Sequence, residues 1–92
     1  MPTLYIPTPL RVYADGQSEI VVNGPIVSDA LNDLVTRYPT IKQHIFNENG
    51  ELRPFVNLFK GKENIVFLQG LETPISEGDS LRIIPSIAGG SL

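Results

Sequence analysis

One stretch of this 92-residue sequence reads as a long helix with a single apolar stripe. Between Ser28 and Tyr38, apolar side chains recur at Ala30, Leu31, Leu34, Val35 and Tyr38, the spacing of one helical face. Ser28 is placed as an N-cap, and Asp29 and Asp33 follow where negative charge suits the start of a helix. Pro39 ends it, because a residue before proline is pushed out of the α region. A helix apolar on one side only must lay that side on something, and the flanking segments are rich in strand formers. The chain is therefore expected to be a sheet covered by one main helix.

The strands follow from alternation and punctuation. Thr3–Ile6 is β-prone, and Pro7 and Pro9 interrupt pairing because proline has no N–H to donate. Leu10–Tyr13 either continues that strand or leads out of it. Ala14–Gln17 is a turn through Asp15-Gly16, and Ser18–Val22 is a second strand, giving an opening β-hairpin. Beyond the helix, Thr40–Phe46 reads as a short second helix capped by Thr40, and Asn47–Gly50 as a turn. Phe55–Lys60 and Asn64–Leu68 are the third and fourth strands, and Gly70–Gly78 is a connection. The alternation sets Phe55, Asn57 and Phe59 against Val56, Leu58 and Lys60, with neither face clearly polar.

Ser80–Pro85 is the fifth strand, with Leu81 and Ile83 facing one way and Arg82 and Ile84 the other. It is apolar enough to be central, which is satisfied if it lies parallel to the first strand. The expected fold class is thus α+β, a β-grasp with a mixed sheet of four to five strands packed on one main helix. Residues 1–85 form that domain, and residues 86–92 form a flexible C-terminal tail carrying Gly89 and Gly90.

Composition narrows the function. No cysteine is present, so there is no disulfide framework, thiolate metal site or thiol nucleophile. A net charge of −3 argues against nucleic acid, which is met by a basic face. No apolar run approaches the roughly 20 residues of a membrane span, and the N-terminus lacks the pattern of a signal peptide. A cytoplasmic protein with no membrane association is expected. His44, the single histidine, lacks a convincing carboxylate partner in sequence and reads as a surface or packing residue. Neither a G-x-S-x-G elbow nor a phosphate-binding glycine loop occurs, so catalysis by this chain alone is not expected. What remains is a tail and a binding surface. If Leu81 and Ile83 are core, Ile84 is exposed near the tail, where Leu68 and one of Leu58 or Phe59 join it. The residues equally allow these side chains to fill a second face of a small core.

The run from Leu71 to Gly90 resembles the C-terminal signature of the MoaD/ThiS sulfur carriers, most specifically in G-D-x-x-x-x-x-P-x-x-A-G-G from Gly78 to Gly90. Arg53–Asn57 and Ile6–Arg11 are similar to the branch serving cysteine biosynthesis. The resemblance implies a carrier with no cofactor of its own, activated at the Gly90 carboxylate by an E1-like adenylyltransferase using ATP. A sulfur nucleophile then forms a thiocarboxylate that delivers sulfide to a cysteine-synthase-like acceptor enzyme. Ser86, Ile87, Ala88 and Gly89 are the arm carrying Gly90, while Leu68, Ile84, Leu58 and Phe59 are the partner-binding patch. Ser91 and Leu92 depart from the family pattern, since Gly90 is bound into a peptide bond with Ser91. Their removal by a JAMM-type metalloprotease is implied. The same features also fit a ubiquitin-like modifier conjugated to lysines, or a molybdopterin synthase small subunit.

Overall fold

The computed structural model describes residues 1–85. Its sheet has five strands: β1 (Thr3–Tyr5), β2 (Glu19–Val21), β3 (Val56–Lys60), β4 (Glu63–Asn64) and β5 (Ser80–Pro85). Their spatial order is β2-β1-β5-β3-β4. β5 is central, parallel to β1 with Leu4 opposite Leu81, and antiparallel to β3 with Leu58 opposite Ile83. β1 and β2 pair antiparallel, as the opening hairpin requires. The parallel pair joins the two ends of the domain, and parallel strands need a long crossover between them. The intervening chain supplies it with α1 (Val27–Arg37), laid across one face of the sheet. This is the β-grasp arrangement.

Period-two alternation decides which residues form the core. Leu4, Leu58, Leu81 and Ile83 are buried on the helix side, against Ala30, Leu31, Leu34 and Val35 of α1. Ile41 and Ile45 close one end. The helical stripe and the sheet face thus bury each other, the exchange that stabilises a one-sided helix most.

The start of α1 differs from the expected Ser28 cap. Ile26 is the capping residue, no side chain caps the helix, and Ser28 lies inside it. Packing against the distant loop explains this: Ile26 bridges to Pro74, and the Val27 N–H donates to the Thr73 carbonyl at 3.0 Å. A free N–H of the first turn is satisfied by backbone, so no serine is needed to accept it. Gly24, just before, has φ +152°, and a Cβ there would stand 2.5 Å from the Asp29 Cβ. That close approach of chain to helix is one only glycine permits.

One other segment settles an open alternative, and three more depart from the expected pattern. Thr8–Ala14 leads out of the first strand, one of the two alternatives open for Leu10–Tyr13, and does so as a 3₁₀ helix with proline in its first turn, where a missing N–H costs nothing. Asp15 ends it in the left-handed region at φ 56°. The short helix after Pro39 begins as a 3₁₀ turn, Pro39–Ile41, and continues as α2 (Lys42–Ile45), without a side-chain cap from Thr40. Phe55 belongs to a turn closed by the Val56 N–H on the Arg53 carbonyl, so β3 starts one residue later. The expected strand Asn64–Leu68 is only two residues of β4, followed by a 3₁₀ turn at Ile65–Phe67. The Asn64 side chain accepts from the Val66 N–H at 3.0 Å, a local bond that competes with the ladder and turns the chain out of the sheet.

Candidate functional site

The face of the sheet turned away from α1 is built from the alternate residues of the same strands. Because Leu81 and Ile83 point inward, Arg82 and Ile84 point outward from the centre of the sheet. Register sets their neighbours: Tyr5 and Phe59 flank Arg82, and Asn57 lies opposite Ile84. The Arg82 guanidinium carbon stands 4.7 Å from the centre of the Tyr5 ring, a cation–π arrangement that holds a long side chain in place. Ile84 is 39% exposed, next to the last described residue, Pro85.

Beside this strand end lies an open groove of about 460 Å³, lined by Tyr5, Pro7, Thr8, Arg11, Arg82 and Ile84 among others. The 3₁₀ helix brings Arg11 there. Its Nε donates to the Ile6 carbonyl at 2.9 Å, which fixes the side chain, and its Nη groups have no partner among the described residues.

The expected patch is only partly assembled. Ile84 and the half-buried Phe59 share the outer face, consistent with their alternation. Leu58 does not: at 1% exposure it packs into the core opposite Ile83, since adjacent strand residues point to opposite faces. Leu68, 36% exposed, follows the turn beyond β4, and β3 separates that edge strand from β5. Its neighbours Val66 and Phe67 are more exposed still, at 70% and 81%. The expected arm Ser86, Ile87, Ala88 and Gly89, the expected reacting residue Gly90, and the expected removable Ser91 and Leu92 lie outside the described residues.

Three residues of this face are not singled out by the sequence as site residues: Tyr5, Arg11 and Arg82. Arg82 is signalled by its outward place between Leu81 and Ile83. Arg11 reaches the same groove only because the chain turns into a 3₁₀ helix, which strand alternation does not reveal. His44 stacks on Tyr13 with ring centres 4.1 Å apart, which suits its reading as a packing residue. Among the described residues, no group of three or more histidine and acidic side chains is placed to hold a metal ion. No helix among them is long and apolar enough to cross a membrane.

Comparison with known proteins places this geometry. A profile of the ThiS family matches residues 4–90. Sulfur carrier protein CysO of Mycobacterium tuberculosis is 36% identical over 90 residues, covering 96% of this chain and 97% of the relative. In the crystal structure of the Amycolatopsis orientalis BexX/CysO complex, the matching chain superposes with a TM-score of 0.88 at 33% identity, covering 98% of this chain and 100% of that one. Small archaeal modifier protein 1 of Methanosarcina acetivorans superposes with a TM-score of 0.86 at 32% identity, covering 97% of this chain and 95% of that one.

Proposed function

The chain belongs to the ThiS family, of ubiquitin-like β-grasp fold, and from that premise we propose that it is a sulfur carrier whose chemistry is performed on the carboxylate of Gly90. The observation that carries the reading is the near full-length similarity to a sulfur carrier, with the matched region running through Gly90. The place of β5 supports it: a strand held on both sides, by β1 and β3, fixes Pro85, the last residue described before the expected arm.

In the proposed sequence, a JAMM-type protease first hydrolyses the Gly90–Ser91 bond and frees the Gly90 carboxylate. A carboxylate oxygen then attacks the α-phosphorus of ATP on an E1-like adenylyltransferase, forming an acyl-adenylate and releasing pyrophosphate. Hydrosulfide from a sulfur donor displaces AMP at the acyl carbon. On a cysteine-synthase-like acceptor enzyme the thiocarboxylate sulfur bonds to the acceptor substrate as that substrate's leaving group departs. Water then cleaves the acyl–sulfur bond, restoring the Gly90 carboxylate and releasing cysteine. Throughout, the chain is the substrate of its partners rather than a catalyst. Glycine at the reacting end adds no side chain beside the acyl carbon and lets the arm enter a narrow site. Ile84 and Phe59 supply the apolar part of the surface on which the activating enzyme docks, and Leu68 extends it from the sheet edge. The Amycolatopsis relative, solved in complex with BexX, supports docking on a protein partner.

The test is ATP–pyrophosphate exchange with the cognate adenylating enzyme. A chain ending at Gly90 supports exchange, and the 92-residue chain does not. Equal exchange by both chains overturns the need for trimming, and exchange by neither overturns activation at Gly90.

Similarity to the Methanosarcina modifier protein favours a second reading, in which the same activated carboxylate is joined to a lysine of a target. Conjugates of higher mass in a lysate support the modifier. A free trimmed protein about 16 Da heavier, from sulfur replacing oxygen, supports the carrier.

A further inference from the structure

We infer that the groove at the end of β5 is a carboxylate-binding site, and that the partner docking there presents an acidic residue beside an apolar one. This deepens the reading above by giving the chemistry of the partner's surface.

Arg11 and Arg82 both line the groove, and among the described residues no acidic side chain lines it. Neither makes an ion pair among the described residues. Arg11 spends its Nε on the Ile6 carbonyl, and Arg82 rests on the Tyr5 ring without an acceptor among the described residues. The surrounding acids are engaged or displaced. Asp79 pairs with Lys60 at 3.7 Å and Glu77 with the N-terminal amine at 3.7 Å, both before the start of β5. Glu19 lies on β2, across Tyr5 from Arg82.

Two pre-positioned guanidiniums suit carboxylate oxygens, to which arginine donates paired, charge-assisted hydrogen bonds. Ile84, Pro7 and Pro85 line the same groove and suit an apolar neighbour of that carboxylate. The whole chain carries −3, which repels an acidic partner at long range. Screening over about 8 Å at physiological salt confines that repulsion, so the local pair decides at contact. A nucleic acid fits less well, because it is met by an extended basic face.

Binding is tested by NMR titration of the ¹⁵N-labelled 92-residue chain with the peptide acetyl-Leu-Glu-Leu-Glu-Leu-amide, its Gln counterpart, and single-stranded oligothymidine. The Glu peptide is expected to shift backbone signals around Tyr5, Arg11 and Arg82, with the Gln peptide bound about tenfold more weakly or less. R11Q/R82Q is expected to lose the preference for Glu. R82Q alone breaks no backbone hydrogen bond, and it is expected to reduce the preference even if the double variant fails to fold. Equal binding of the two peptides, no shifts with the Glu peptide, or equal binding of oligothymidine at the same signals overturns the assignment. Failure of adenylation is read separately, by the exchange assay, which the peptides do not enter.

Discussion

In a chain ending at residue 90, Gly90→Ala is expected to slow ATP–pyrophosphate exchange by about 100-fold, the scale on which small misplacements of a reacting group act. The added methyl group sits on the carbon next to the carboxylate, where the adenylating enzyme must align an oxygen with the α-phosphorus. Its effect on folding is expected to be small, because the core of the described residues is built from side chains between Leu4 and Ile83. The midpoint of thermal unfolding should therefore match that of the parent, separating loss of activation from loss of fold. An unchanged exchange rate would remove Gly90 from the reacting position.

The second large effect is on stability. Leu81→Ala removes a fully buried side chain from the central strand, between Leu4 on β1 and the residues of β3. Burial of this kind contributes about 2–5 kcal/mol per leucine, including the cavity left behind. A domain of this size shifts by roughly 4–8 °C per kcal/mol, so the unfolding midpoint should fall by at least about 8 °C. Arg82→Ala, one residue along, loses only the contact with the Tyr5 ring, about 0.5–1 kcal/mol at an exposed site. Calorimetry of the two variants thus tests the facing of β5. Similar losses from both would contradict a one-sided core.

The difference between these neighbours is legible in the sequence alone, because period-two alternation needs only one strand. The bounds of β5 and the sharing of one face by Leu81 and Ile83 follow directly from it, whereas which face is core is decided by the packing of α1. The stripe of α1 is legible for the same reason, being a local pattern. Its first residue is not, since a carbonyl of the distant Thr73 replaces the expected serine cap. β3 shows where alternation runs out. Phe59 and Leu58 are comparably apolar, and only the register against Ile83 sends Leu58 inward. β4 ends early because Asn64 bonds to the backbone two residues on, a choice that depends on the turn already being formed. The site divides in the same way. The arm and Gly90 are a sequence motif, whereas the Arg11–Arg82 groove exists only once β1 and β5 run parallel and the chain after β1 coils. Residues far apart in sequence then share one surface, which no local pattern contains.

A carrier role requires Gly90 to become the chain terminus and to receive sulfur. Intact-mass measurement of the protein recovered from its native cell tests this most directly. The expected result is a chain ending at Gly90, part of it about 16 Da heavier where sulfur has replaced a carboxylate oxygen. A population that retains Ser91 and Leu92 throughout, with no heavier form, would contradict it.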